Sequence, residues 1–106
     1  MTFTSALPDT IPLVVVGAHL TGMPLNKELQ ALEATLVKST RTASEYRLYA
    51  LAGTVPPKPG LLRVAADGVS VEVEVWALTP AAFGFFVSRI PGPLGVGTIR
   101  LEDGET

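Results

Sequence analysis

Apolar residues along the chain fall into short runs separated by proline- and glycine-rich breaks, the pattern of a domain with several short elements. Ile11 to Val16 is continuous and mostly β-branched, which predicts a strand buried on both faces and central in its sheet. Residues 1–10 before it read as a loose leader closed by the turn chemistry of Pro8-Asp9-Thr10. After a loop from Gly17 to Pro24, Leu25, Leu29, Leu32 and Leu36 recur at helical spacing. Asn26 is placed as N-cap and Glu28 lies in the first turn, so this stretch predicts the main helix, its leucine face on the sheet. Ser39 to Ser44 reads as a polar connection and Tyr46 to Ala52 as a second strand. Gly53 to Gly60 reads as a surface loop, because its three prolines lack the donor that a ladder needs.

Leu61 to Ala66 and Val69 to Leu78 flank Asp67-Gly68, which predicts a β-hairpin on a tight turn. Alternation within the second arm puts Val69, Val71, Val73 and Val75 on one face and Ser70, Glu72, Glu74 and Trp76 on the other. That suggests a valine core face with a solvated acidic back. Thr79 and Pro80 have the chemistry of an N-cap and a first helical residue. They open a short helix over "AAFGFFVSRI" that Gly84 weakens. A Pro/Gly-rich loop, a last strand near Gly97 to Leu101 and an Asp103-Gly104 turn complete an α+β domain with a curved, mostly antiparallel sheet.

Composition narrows the class. The 106 residues suit one domain, 1–106, and 47% apolar against 17% charged residues leans toward a homo-oligomer or docking on another domain. A net charge of -2 and a pI near 5.2 give no cationic field for a nucleic-acid backbone, so no nucleic acid is expected as a partner. There is no cysteine and one histidine, which excludes thiolate catalysis and disulfides and argues against a zinc site; no metal and no cofactor are expected. The first ten residues lack a signal-peptide pattern and no run approaches the ~20 apolar residues of a membrane span. No membrane association is expected, and a soluble cytoplasmic protein is the default. Phosphate-cradling, dinucleotide and nucleophile-elbow motifs are absent: "GPLGVG" precedes a strand rather than a helix.

His19 is the leading candidate for chemistry. It follows a strand in a loop with Gly17 and Gly22 that leads into a helix start, where free N–H groups can hold an anion and an imidazole can donate a proton. The plainer reading is a ring that satisfies a backbone carbonyl in a turn. Glu74 is second: an indole from Trp76 beside it would desolvate the carboxyl and raise its pKa toward acid–base work, whereas period two favours a solvated side chain; Glu72 is a weaker version of the same case. Arg41, Arg47 and Arg63 can each clamp a carboxylate, though scattered arginines are usually surface residues; Arg41, among Ser39, Thr40 and Thr42, stands out. Tyr46 and Tyr49, three apart on a strand, point to opposite faces.

Taken together, "VVVGAHLTGMPLN", "TRTASEYRLYAL", "PPKPGLLRV", "VEVEVWAL" and "IPGPLGVGTIRLEDG" resemble, in order, the C-terminal domain of allophanate hydrolase. The resemblance implies a gamma-glutamylcyclotransferase-like fold, a small mixed β-barrel with a short helical layer. It also implies conversion of N-carboxycarbamate to ammonia and carbon dioxide after an amidase domain has hydrolysed allophanate. Carried over through the block around it, His19 would be the catalytic general acid, and the loop N–H groups of the Gly17 to Gly22 stretch, Ala18 and Leu20 among them, would hold the carboxylate of the small substrate. Residue chemistry alone, not the resemblance, adds Glu74 as a second acid–base candidate and Arg41 as a substrate-binding one. The amidase half is not in these 106 residues, nor is the family's further strand carrying Gly-Phe, so an amidase subunit is the expected partner and an edge strand is expected to be missing or supplied in trans. The alternative is a non-catalytic binding or docking module. Gamma-glutamyl cyclotransferase chemistry is disfavoured, because Val16-Gly17-Ala18 replaces that family's Tyr-Gly-Ser and "TPAAFGFF" carries no acid.

Overall fold

A computed structural model of the chain describes residues 9–50, 59–90 and 97–104. The elements are β1 (Ile11–Val15), a 3₁₀ turn (Gly17–His19), α1 (Asn26–Ala31), β2 (Thr35–Arg41), β3 (Tyr46–Ala50), β4 (Pro59–Arg63), β5 (Glu72–Leu78) and α2 (Pro80–Ser88). They form an antiparallel three-stranded sheet in the order β1-β5-β2 and an antiparallel pair β3-β4, so the α+β class holds. Neither sheet contains a parallel pair, and the described residues do not close into the mixed barrel expected of them.

The central strand is β5, not β1. Among the described residues β1 has one neighbour, and it buries only alternate residues, Leu13 and Val15, as an edge strand does. β5 is flanked on both edges and is buried from Val73 to Leu78. Its two faces feed separate clusters. Trp76 and Leu78 join Leu13, Val15 and Leu29, with Phe83 and Phe86 of α2 packed against them. Val73 and Val75 pack with Leu101 and, at the margin, with Val14, Val16 and Val37. The alternation read from the sequence is therefore correct for these residues, but the glutamate–tryptophan face is buried rather than solvated.

Where the leucine spacing predicts a helix reaching Leu36, α1 stops after Ala31. Glu33 adopts φ 57°, the left-handed region that ends a helix, and Glu33 N–H donates to Gln30 O and Ala34 N–H to Leu29 O in the closing turn. The β-branched run beyond it pairs with β5 as β2, so the predicted polar connection from Ser39 begins inside a strand, and Leu36 is exposed. Asn26 is not the N-cap; Leu25 holds that position without a side-chain bond. The longer helix is α2, where Thr79 caps as predicted, its hydroxyl accepting from Ala82 N–H, with Pro80 in the first turn.

The predicted hairpin across Asp67-Gly68 does not form. Asp67 has φ 60° but Gly68 is not in the positive region, so the two-residue turn that would fold one arm on the other is absent. β4 pairs with β3 instead, with Leu48 opposite Leu61, and both edges of β5 are taken by β1 and β2. Pro59 and Gly60, expected in a loop, begin β4; residues 53–58 of that loop lie outside the described residues, as do 51–52 of the predicted second strand, 1–8 of the leader and 91–96 of the later loop. The last strand reduces to one bridge between Thr42 and Leu101, and Gly104, at φ 90°, closes the predicted final turn. Among the described residues no helix is long and apolar enough to cross a membrane.

Candidate functional site

The loop between β1 and α1 is held by polar bonds at several points, and His19 sits within it. Gly17, at φ 65°, starts the 3₁₀ turn, and Leu20 N–H donates to Gly17 O at 3.0 Å to close it. Asn26, buried, donates through Nδ2 to His19 O at 2.7 Å and accepts through Oδ1 from Gln30 Nε2, which buckles the loop onto the first turn of α1. Gly22, at φ 84° with open space around it, lets the chain turn back toward the helix.

The imidazole is fixed from two sides. Nε2 lies 2.8 Å from Glu28 Oε1, and the ring meets Phe86 of α2 edge-on, with centroids 5.3 Å apart at 67°. The His19 side chain remains 18% exposed, enough for a small solute to touch it. The turn's carbonyl bond is made by Asn26, not by the ring, so the plainer reading of His19 as a turn-satisfying side chain does not describe this geometry.

Glu74 reaches the same loop from beneath. From its buried place on β5 its Oε1 accepts three bonds: from Thr21 N–H at 2.9 Å, Thr21 Oγ at 3.0 Å and Trp76 Nε1 at 3.1 Å. Trp76 therefore acts on Glu74 as a hydrogen-bond donor as well as an apolar neighbour. Ala18 is buried under the turn, and Leu20 packs on the cluster around Trp76. The structure thus brings Gly17, Ala18, His19, Leu20, Gly22 and Glu74 to one loop and its floor.

Arg41 is not among them. Its guanidinium is committed to Ser70, with Nε on the hydroxyl at 3.3 Å and Nη2 on the carbonyl at 2.8 Å. Arg47 donates to Asp67 O, and Arg63 pairs with Glu45, which also holds Arg100. Glu72 is exposed, and of the two tyrosines Tyr46 is buried while Tyr49 is exposed. The expected cradle of loop donors is smaller than the sequence suggests: Leu20 N–H and Thr21 N–H are engaged within the fold, and Leu25 N–H and Asn26 N–H are taken by Ala18 O and Met23 O. Sequence reasoning overlooked Thr21 and Phe86 altogether, and it read Glu28 and Asn26 only as helix-start residues. None of these links leaves a periodic trace, since they join positions nine, seven, 53 and 67 residues apart.

Comparison with known proteins bears on this arrangement. The family model for the allophanate hydrolase C-terminal domain matches residues 11–106. Urea amidolyase of Lachancea kluyveri is 46% identical over 99 residues, 92% of this chain and 5% of that protein. Among solved structures, a Kluyveromyces lactis allophanate hydrolase superposes with a TM-score of 0.85 at 44% identity, over 91% of this chain and 16% of its own. A uropathogenic E. coli-specific protein superposes with a TM-score of 0.80 at 34% identity, over 91% of this chain and 73% of that one. The chain spans 5% and 6% of the length of the two curated urea amidolyases it matches. From the strand before His19 to the last turn, this chain belongs to the allophanate hydrolase C-terminal domain family.

Proposed function

We propose that the chain performs the second half of allophanate breakdown in urea degradation, converting N-carboxycarbamate delivered by an amidase into ammonia and carbon dioxide, with His19 as the proton donor. The observation that carries this reading is the His19 ring, held by Glu28 and Phe86 and still open to a small solute. Membership of the allophanate hydrolase C-terminal domain family supports allophanate breakdown as the setting of this reaction. On this reading the fold is of the gamma-glutamylcyclotransferase-like type, the protein works in the cytoplasm, and its partners are an amidase-bearing subunit and a second copy of itself.

The chemistry balances with one residue. The protonated imidazole of His19 faces the dianion; the C–N bond to one carboxylate breaks, its electron pair stays on nitrogen and takes the imidazole proton, and the carboxylate leaves as carbon dioxide. Carbamate and neutral imidazole remain. A second proton taken up by the ring and given to the carbamate nitrogen releases ammonia and the second carbon dioxide. General acid catalysis of this kind contributes about 10²–10⁴-fold. Gly17 to Gly22 is the loop that carries His19 toward the substrate, and Glu74 anchors that loop through Thr21.

His19→Ala tests it. In an assay coupled to an allophanate amidase, ammonia release above the uncatalysed rate should vanish while the melting temperature stays near that of the wild type. Full activity in the variant removes His19 from the mechanism. One observation favours a second reading, a binding or docking module: α2 carries no charged side chain, yet none of its residues is fully buried. A thermal shift with malonate and no turnover would select that reading.

A further inference from the structure

We infer that Glu28 is a positioning residue that fixes which nitrogen of His19 does the work: Nε2 is the anchor and Nδ1 is the atom that exchanges a proton with the substrate. The inference rests on the functional reading above and sharpens it. A carboxylate only accepts hydrogen bonds, so the 2.8 Å contact with Glu28 Oε1 requires the proton to lie on Nε2. No hydrogen bond among the described residues reaches Nδ1. The edge contact with Phe86 limits rotation of the ring, and Asn26 holds the backbone beneath it, so the imidazole cannot exchange its two nitrogens without breaking the Glu28 bond.

The consequence for the reaction is specific. In the protonated ring, Nδ1–H points away from Glu28 and is the proton given to the leaving nitrogen; what remains is the Nε2–H form, the one that Glu28 already holds. Glu28 thus stabilises the ring before transfer by its charge and after transfer by its hydrogen bond. Proton donation from Nε2 would require that bond to be given up first. The ligand class follows: in its neutral form His19 offers a lone pair at Nδ1, so it binds molecules that present an N–H or O–H there, and in its protonated form it binds the carboxylated anion.

Because His19 is the only histidine, a nitrogen-15 spectrum of the labelled chain reads this one ring. At a pH where the ring is neutral, the wild type should show a protonated Nε2 and a bare Nδ1. Glu28 is half-exposed, so it can be replaced without opening the core. Glu28→Gln keeps an oxygen that accepts from Nε2–H and should retain this spectrum and most of the turnover. Glu28→Leu removes the acceptor: its Nε2–H signal should be lost to exchange with water, and kcat should fall on the order of 10-fold to 100-fold with a smaller change in KM. Malonate added to the protonated wild type should move the Nδ1 resonance and leave Nε2 in place. A wild-type ring protonated on Nδ1, malonate acting at Nε2, or Glu28→Leu turning over as fast as the wild type each overturns the assignment. Full activity in His19→Ala would instead overturn the functional reading, and the spectrum would still decide the role of Glu28.

Discussion

Replacing Glu74 by methionine measures what its three converging bonds contribute. The indole N–H of Trp76, in a residue only 3% exposed, would lose its acceptor with no water at hand, which costs roughly 1–3 kcal/mol. Thr21 lies at the surface, so its N–H and hydroxyl turn to water and add only about 0.5–1 kcal/mol. Against this, methionine removes the desolvation of a carboxylate that has no lysine or arginine beside it among the described residues; the three donors on Oε1 already compensate most of that penalty, which leaves an offset on the order of 1 kcal/mol. The net expectation is a loss of about 2 kcal/mol, or a fall in Tm of about 8–16 °C for a domain of this size. Glu74→Gln, which keeps an acceptor oxygen in the same place, should lose no more than about 1 kcal/mol. Glu72→Met, on the exposed end of the same strand, should stay within about 0.5 kcal/mol of the wild type. Urea unfolding followed by circular dichroism and by the fluorescence of Trp76, the only tryptophan, reads all three. Wild-type stability in Glu74→Met, or an equal loss in Glu72→Met, would refute the reasoning.

Two glycines should respond to alanine in opposite directions. At Gly68 an added Cβ would stand 2.8 Å from both Glu45 Cα and Ser44 O, backbone atoms that cannot swing aside; Gly68→Ala should lose roughly 1–3 kcal/mol in chemical denaturation, with the bridge between Tyr46 and Val69 disturbed. Gly84 lies mid-helix in α2 with open space around it, so Gly84→Ala should gain about 0.5–1 kcal/mol and raise Tm, and a loss would mean that α2 needs its flexibility.

What could be read in advance followed the range of the forces involved. The cap at Thr79, the closing turn at Asp103-Gly104 and the opposite orientations of Tyr46 and Tyr49 depend on neighbours in sequence, and all were legible. Strand partnership was not. Asp67-Gly68 advertises a hairpin, but the ladder positions it would have used on β5 are occupied by β1 and β2, whose paired residues lie 31 to 67 positions away. Leu32 and Leu36 continue a helical spacing that Glu33 interrupts, and only the pairing of Thr35–Arg41 with β5 makes a strand the better outcome for that run. At the site, His19 stood out as the single histidine beside glycines. Its anchors Glu28 and Phe86 and the tie from Glu74 to Thr21 exist only once the loop is folded over the sheet.

The burial of β5 on two sides has a consequence for folding accuracy. With valines along one face and Glu74 and Trp76 on the other, a slip of one residue would exchange the two sets. The carboxylate would then enter the apolar cluster around Leu101, away from Thr21, and a valine would face Thr21. A sheet of aliphatic residues alone would tolerate that error cheaply. The single charged group in the middle of the strand acts as a key that fits one alignment, and the same bond that rejects the misaligned strand sets the height of the loop bearing His19. Correct pairing and an assembled site are thereby reached together.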